Sequence, residues 1–171
     1  PAVQLAVGVG HVCALMDTGS LHCWGQDTFG ALGLPDAGNR GDEPGEMGVN
    51  LPNVALNPNH AVRLVRAGDG TTCILTATNE LLCWGQNGRY GTVGLEEAAA
   101  EIRFRGVEHP TIPIQPLGRI LSLELNHHHA CLVDAGNTAR CWGGNDWGQL
   151  GTGDRRARGR ARGDISELSF I

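Results

Sequence analysis

The sequence contains no lysine: all 13 of its basic residues are arginine, against 18 aspartate and glutamate residues, and the formal net charge is −5. Binding to the phosphate backbone of nucleic acid requires a positively charged face on the protein. An acidic chain of this kind does not favour such binding. We therefore expect no nucleic-acid partner.

A long apolar segment is also missing, because no run of about 18 apolar residues occurs, as a membrane-spanning helix would require. We therefore expect no membrane span. The chain opens at Pro1 without the charged and apolar leader of a secretory signal. Either a signal precedes this numbering and has been removed, or the chain is a piece of a longer protein.

Sequence patterns of common catalytic and metal sites are absent as well. There is no Gly-X-Ser-X-Gly, no phosphate-binding Walker loop, no Cys-X2-Cys spacing and no recognisable pair of catalytic carboxylates. The sequence therefore predicts no catalytic residue, no cofactor and no metal site, and it favours binding over catalysis.

Glycine is abundant, with 26 of the 171 residues, and no Gly-X-Y period runs through the chain. Glycine in this number indicates many tight turns and hence short strands. Three segments of the chain align with one another around Trp24, Trp84 and Trp142, which are 60 and 58 residues apart. This period is typical of propeller blades or solenoid units. It divides a single unit into repeats at 1–59, 60–117 and 118–171, the last with a C-terminal strand.

Each repeat has two cysteines ten residues apart, with an apolar run, a polar turn and a second apolar run between them, which indicates a β-hairpin. If the two cysteines face each other, the hairpin centre falls on a residue and the loop has an odd length, most simply three residues. Three-residue hairpin loops end on a residue in the left-handed region. That position holds Gly19, Asn79 and Asn137, which are of the types that best tolerate positive φ.

Directly opposed cysteines in a non-hydrogen-bonded antiparallel pair are close enough for a disulfide. We predict three such bridges and hence an oxidising compartment. The alternative is that the thiols are free and buried as small hydrophobic groups. The predicted pairs are Cys13 with Cys23, Cys73 with Cys83, and Cys131 with Cys141.

An aromatic-Gly step follows each Trp-Gly, and one more strand-like run precedes each hairpin, at 3–9, 61–67 and 119–125. A similar run at 164–171 stands where a fourth unit would begin. We expect the tryptophans and the second aromatic residues to pack between neighbouring sheets, while the glycines permit close turns. A stacking platform for a ligand is the alternative for these aromatic residues.

The pattern Gly-X-X-His-X-Cys-Ala-Leu, followed by Cys-Trp-Gly-X-Asp/Asn and Gly-X-Leu-Gly, resembles the RCC1 repeat in the cysteine-bearing version common in bacterial secreted proteins. His11 and His129 match the histidine of the repeat, whereas the middle copy has Thr71. The resemblance implies an all-β fold of β-propeller blades. Because such propellers usually close a ring of seven blades, it also implies that three repeats form an incomplete ring or part of a larger propeller.

Functions in this family range from guanine-nucleotide exchange on a small GTPase to inhibition of a β-lactamase, so the resemblance implies a binding surface and no particular activity. Two long segments between the repeats, 35–59 and 95–116, are candidate binding loops. The second contains a short helix candidate at 96–102. The alternative for both is a solvated connector packed on its own blade.

Two further runs have a charged or metal-binding character. The run His127, His128 and His129 contains residues that bind zinc or nickel, but in an extended chain His128 points away from the other two, so we expect no metal site. Segment 155–162 contains five arginines. It is either a flexible basic loop that attracts anions or a solvated linker.

These features together predict a non-enzymatic binding module in a secreted or cell-envelope protein of bacterial type. We expect it to present propeller loops to an unidentified protein partner. Two other functions stay open. The chain could be a structural subunit of a surface assembly, through self-association or through further blades, or it could inhibit an extracellular enzyme by inserting a loop.

Overall fold

The computed structural model describes residues 1–36, 38–88, 90–95, 101–102, 112, 118–165 and 168. Over these residues the regular structure consists of strands and two short 3-10 helices, which confirms the all-β prediction. The 3-10 helices are Thr28–Gly30 and Gly48–Asn50. The strands are β1 Ala2–Val7, β2 His11–Met16, β3 Leu21–Gly25, β4 Val62–Ala67, β5 Thr71–Thr76, β6 Leu81–Gln86, β7 Glu101–Ile102, β8 Ile120–Leu125, β9 His129–Asp134 and β10 Ala139–Gly143.

The strands form three antiparallel sheets, which we call the first, second and third blades. Their strand orders are β1-β2-β3, β4-β5-β6-β7 and β8-β9-β10. The register of the first strand shifts at the same place in each blade, between residues 2 and 4, 62 and 64, and 120 and 122. The three repeats of the sequence therefore correspond to three sheets of one design.

The second and third strands of each blade form a hairpin in which the two cysteines of the repeat face each other. In all three pairs the Cα atoms are 4.1 Å apart and the sulfur atoms lie at bonding distance. The last turn residues have φ values of 85° at Gly19, 72° at Asn79 and 59° at Asn137. Non-hydrogen-bonded pairs have the shorter Cα separation in antiparallel sheets, so this register brings the cysteines together.

A further segment pairs with the Trp-Gly end of each hairpin. Gly25 pairs with Arg40, Gly85 with Ile102, and Gly143 with Arg158. The helix prediction for 96–102 is wrong at Glu101 and Ile102, which form a strand because they complete the edge of the second blade. Residues 96–100 of that prediction lie outside the described residues.

The hydrophobic core lies between neighbouring blades, in two clusters. Because successive side chains of a strand point to opposite faces, the second blade contributes to both. Ile74, Leu82 and Trp84 face the first blade, while Leu75 and Leu81 face the third. This is why β5 is buried along its whole length. Each blade is therefore stabilised mainly by its neighbours.

At the C-terminal end, Asp164 and Ile165 lie in a turn, which corrects the strand prediction at the start of segment 164–171. Of the remainder, only Leu168 is among the described residues, and it is not in a strand. Within the described part of the chain, no helix is long and apolar enough to cross a membrane.

Candidate binding surfaces

The tryptophans of the second and third repeats join each of these blades to the one before it. Trp84 Nε1 donates to the Ala31 carbonyl, and Trp142 Nε1 donates to the Thr92 carbonyl, both at 3.0 Å. A Cβ on Gly33 would stand only 2.9 Å from Trp84 Nε1, so glycine at this position allows the indole to approach the backbone. Trp84 and Trp142 are fully buried, whereas Trp24 in the first blade is half-buried.

His11 is part of a second link between the first two blades. The Thr72 hydroxyl donates to the Ala31 carbonyl at 2.7 Å, so its oxygen accepts from His11 Nε2 at 2.8 Å. Burial lowers the pKa of His11 to about 4, although the negative charge of Asp69 acts to raise it. The ring is therefore neutral at physiological pH, with its proton on Nε2 and an acceptor lone pair on Nδ1.

One face of the first blade has apolar side chains exposed to solvent. Leu5, Val65 and Leu123 occupy the same position in their blades, opposite the residue after the first cysteine of the repeat. Val65 and Leu123 are fully buried against the preceding blade, but Leu5 is 59% exposed. Val3, Val7 and Val9 are exposed along the same strand and its end. We call Val3, Leu5, Val7 and Val9 the leading face.

The opposite end of the arc has a matching feature. Phe29, Tyr90 and Trp147 are the aromatic residues of the aromatic-Gly step. Phe29 and Tyr90 are half-buried against the following blade, whereas Trp147 is 88% exposed. Val133 is also exposed, although its equivalents Leu15 and Leu75 are buried. We call Val133 and Trp147 the trailing face.

Candidate loop 35–59 is anchored to the first blade at both ends. Arg40 forms two backbone hydrogen bonds with Gly25, of 2.7 and 3.0 Å, and the Val54 N–H donates to the Leu21 carbonyl at 2.8 Å. Val54 is buried in the core between the first two blades. Arg40 also forms an ion pair with Asp36. Both ends of the loop are therefore packed on their own blade, as the connector interpretation expects.

The middle of this loop is held by its own hydrogen bonds and exposes two apolar side chains. Glu46 accepts from the Gly41 N–H at 2.8 Å, and Asn50 Nδ2 donates to the Gly45 carbonyl at 2.7 Å. Between these contacts Met47 is 41% exposed, and Val49 is fully exposed. Most of candidate loop 95–116 lies outside the described residues.

The three consecutive histidines have separate surroundings. His127 Nδ1 lies 3.1 Å from Asp69 Oδ2, the ring of His128 stacks on Tyr90 at a centroid distance of 4.6 Å, and His129 is half-buried in β9. Burial, together with the two neighbouring histidines, lowers the pKa of His129. In the described part of the chain, no group of three or more histidine, cysteine, aspartate or glutamate side chains could hold a metal ion.

Segment 155–162 folds back on the third blade through hydrogen bonds and ion pairs, while Arg155 and Arg162 are exposed to solvent. Arg158 pairs with Gly143 through the backbone and with Asp154 at 2.9 Å. Hydrogen bonding to Arg158 lowers the pKa of Asp154 to about 2. The buried carboxylate of Asp164 accepts from Arg156 and from three backbone N–H groups. These carboxylates neutralise part of the arginine charge.

An acidic or amide residue stands three positions after each repeat tryptophan. The sequence analysis assigned no role to it, and the structure shows that it binds the backbone. The side-chain oxygens of Asp27, Asn87 and Asn145 accept from the backbone N–H groups of Leu32, Val93 and Leu150 at 2.9, 3.2 and 2.9 Å. All three side chains are buried. Their recurrence at one position of the repeat was a signal in the sequence.

Comparison with known proteins relates these surfaces to one family. The profile of the Regulator of chromosome condensation (RCC1) repeat matches residues 2–31 and 62–91. The chain is 29% identical to the ultraviolet-B receptor UVR8 of Arabidopsis thaliana over 161 residues, 91% of this chain and 32% of the receptor. It is 30% identical to the E3 ubiquitin-protein ligase HERC2 of Homo sapiens over 88% of this chain and 3% of the ligase.

Solved structures show the same fold. Prp20p from Saccharomyces cerevisiae matches with a TM-score of 0.72 at 20% identity, over 99% of this chain and 38% of that one. Human WBSCR16 matches with a TM-score of 0.71 at 17% identity, over 99% and 37%. Yeast RCC1 (Prp20) has been solved bound to Kap60.

The chain thus spans about a third of the length of these solved structures and of the plant receptor, and a small fraction of the ligase. The three blades match part of an RCC1 propeller and form an open arc, which confirms the predicted fold. The third repeat has the same strands and cysteine register as the two repeats that the profile matches, and Trp142 makes the same contact with the preceding blade as Trp84. Two of the three repeats thus match the RCC1 repeat, and the chain is similar to RCC1-repeat proteins over most of its length.

Proposed function

We propose that this chain is a non-enzymatic protein-binding module that acts outside the cytoplasm and binds its partner through loop 35–59. The observation that carries the proposal is the position of Val49, which is fully exposed in the middle of a loop whose ends are anchored and whose turns are hydrogen-bonded. An exposed aliphatic side chain on an ordered loop can enter a partner's pocket at little cost in conformational entropy.

The charge around Val49 supports a partner of particular chemistry. The loop contains the four carboxylates of Asp36, Asp42, Glu43 and Glu46, and its one basic residue, Arg40, pairs with Asp36. Charge complementarity speeds association and suppresses wrong partners. We therefore propose a partner that has an apolar pocket with a basic rim.

Three cysteine pairs at bonding distance support a location in an oxidising compartment, in the secreted or cell-envelope fraction. Family relatives support protein binding as the class of function, since yeast RCC1 is bound to Kap60 in a crystal. The yeast complex does not specify the partner of this chain.

The test compares proteins captured from an extracellular fraction by the wild-type chain and by the variant Val49→Asp. Leu121→Asp, which makes the same kind of change at an exposed aliphatic residue of the third blade, is the matched control. We expect one partner to be captured by the wild type and by Leu121→Asp and lost with Val49→Asp. Equal capture by both variants would reject the loop as the binding site.

A second function, as a subunit of an assembly of blades, is favoured by the leading and trailing faces. At two of these positions, those of Leu5 and Val133, the equivalent residues elsewhere in the arc are buried by neighbouring blades. Exposed apolar faces of this kind mark interaction sites. Under this proposal, a face of a further RCC1 blade covers each of them.

Light scattering coupled to size-exclusion chromatography tests the assembly. We expect association that increases with concentration in the wild type and in Val49→Asp, and a monomer in Leu5→Arg and in Trp147→Asp. A monomeric wild type at all concentrations would count against association between copies of this chain.

A further inference from the structure

A cavity of ≈130 Å³ lies between the first and second blades, beside the link formed by His11. Both blades contribute to its wall. The side chains that matter are those of His11, Gln26, Phe29, Asp69 and Gln86, together with the bare backbone of Gly70.

The equivalent position between the second and third blades is filled by a side chain. Gly70 and His128 each stand three residues before the first cysteine of their repeat, and Phe29 and Tyr90 are the corresponding aromatic residues. At the second junction, the imidazole of His128 stacks on Tyr90, with the ring centroids 4.6 Å apart and the planes at 26°. Glycine at position 70 leaves Phe29 without that stacked ring.

Geometry at Gly70 shows that a side chain there would enter the space beside Phe29. A Cβ on this residue would lie 3.5 Å from Phe29 Cδ2 and 3.5 Å from Gln86 Cβ, which is ordinary van der Waals contact. Gln86 stands where the third blade has Gly144, so its amide forms a polar wall of the cavity. The cavity therefore combines one aromatic wall with polar walls.

The polar side chains of the cavity supply several hydrogen-bond acceptors. His11 Nδ1 is buried and has no hydrogen-bond partner among the described residues. Asp69 adds a carboxylate, of which Oδ2 lies beside His127, and Gln26 and Gln86 add amide oxygens. None of the described residues that line the cavity has a cationic side chain.

We propose that this cavity binds a small planar nitrogen cation, a guanidinium or an imidazolium, which stacks on Phe29 and donates N–H groups to Asp69 and the glutamine amide oxygens. A planar cation gains from the face of an aromatic ring and from a nearby carboxylate at the same time. A neutral ring gains from the stacking alone. The site is separate from the loop proposed above, so neither proposal depends on the other.

Methylguanidinium is the probe, and the measurement follows the side-chain amide signals of Gln26 and Gln86 by NMR. We expect saturable shifts of these signals with methylguanidinium and no saturable shift with methylammonium, which has the same charge but no planar group. Asp69→Asn and Phe29→Leu should each weaken binding roughly tenfold, through loss of the charge and of the stacking surface.

The variant Gly70→Asn tests whether the cation binds in the cavity beside Phe29. Asparagine tolerates the φ of +65° at this position, and its side chain would extend into the cavity, so binding should be lost. Asp146→Asn, which removes an exposed carboxylate at the second junction, is the control for the charge change. We expect this variant to bind like the wild type.

The same cation could arrive as a free molecule or as an arginine side chain of a partner. An acetylated Gly-Arg-Gly amide peptide separates these sources: binding at least as tight as that of methylguanidinium identifies a partner's arginine, and exclusion of the peptide identifies a free molecule. Three results would overturn the proposal: absence of saturable shifts in the wild type, equal shifts with methylammonium, or unchanged affinity in both Asp69→Asn and Gly70→Asn.

Discussion

Trp84 donates its indole N–H to the carbonyl of Ala31 in the preceding blade, with the two atoms 3.0 Å apart. The same carbonyl accepts from the hydroxyl of Thr72, which in turn accepts from His11. Two side chains of the second blade thus donate to one backbone oxygen of the first blade, and His11 joins them through Thr72. We infer that cohesion between the first two blades depends on this point of contact.

Replacing Trp84 by phenylalanine should lower the free energy of unfolding by about 2–3 kcal/mol, because a buried hydrogen bond is lost and part of the indole volume becomes a cavity. Trp24→Phe is the matched control, since Trp24 is only half-buried, and it should cost less than about 1 kcal/mol. Urea unfolding of both variants measures the difference. Equal destabilisation would show that the contact to Ala31 contributes nothing of its own.

The three cysteine pairs should be oxidised in the protein purified without reductant. Each bridge removes two hydrogens, so the intact mass should be about 6 Da below that of the fully reduced chain. Intact-mass spectrometry before and after reduction measures this. A mass equal to the reduced value would establish the alternative of buried free thiols.

Replacing Cys73 and Cys83 together by alanine should destabilise the chain by roughly 2–3 kcal/mol, because the bridge closes only a short loop and constrains the unfolded chain little. Removing one cysteine alone would leave a free thiol, so the paired variant is the informative one. Denaturant unfolding under non-reducing conditions gives the value. A larger loss would indicate that packing around the sulfur atoms contributes as well.

Protonation of His11 should destabilise the fold as the pH falls from about 6.5 to about 4. In this window the unfolded chain binds a proton, because the ordinary pKa of histidine is 6.5, whereas burial holds the folded pKa near 4. Stability is therefore complete above the unfolded pKa, and about 3 kcal/mol of it is lost by the low end of the window.

The variant His11→Gln isolates this effect, because glutamine can donate an N–H group to Thr72 but does not titrate in this range. Unfolding by urea at several pH values should show a shallower pH dependence in the variant than in the wild type between pH 4 and 6.5. Parallel curves for the two proteins would contradict the assignment to His11.

Asn79 should contribute more to stability than Asn137, although both end a hairpin turn with positive φ. Its side chain reaches the third blade, where Oδ1 accepts from the Ile120 N–H at 2.8 Å and Nδ2 donates to the Gly118 carbonyl at 3.2 Å. Asn79→Gly keeps the backbone conformation but loses these bonds, at a cost of about 1–2 kcal/mol. Asn137→Gly should be close to neutral, and thermal unfolding of the two variants compares them directly.

Local features of the repeat were accessible from the sequence because they depend on residues close together in the chain. Cysteine spacing and the turn residues Gly19, Asn79 and Asn137 were enough to predict three-residue hairpins, and alternating apolar residues predicted the strand before each one. The helix prediction at 96–102 failed at Glu101 and Ile102 for the opposite reason. A helical preference in a short segment is weak, and hydrogen bonding to the edge of the second blade outweighs it.

The candidate surfaces depended on contacts that the sequence does not display. Arg155 to Arg162 look like a basic run, yet Asp154 and Asp164 bind part of it, because the loop folds back on itself. Leu5 is no different in kind from Val65 or Leu123 in the repeat pattern. Only the arrangement of the blades leaves it exposed.

By itself, the sequence determined the repeat and the hairpins, since these follow from side-chain periodicity, turn stereochemistry and the spacing of the cysteines. The tertiary structure decided which equivalent residues are covered and which are open, because burial depends on the neighbouring blade and not on the residue. Gly70 and His128 illustrate this. These two residues occupy the same position of the repeat. Only the packed blades show that Gly70 leaves a cavity beside Phe29, while His128 fills the corresponding space beside Tyr90.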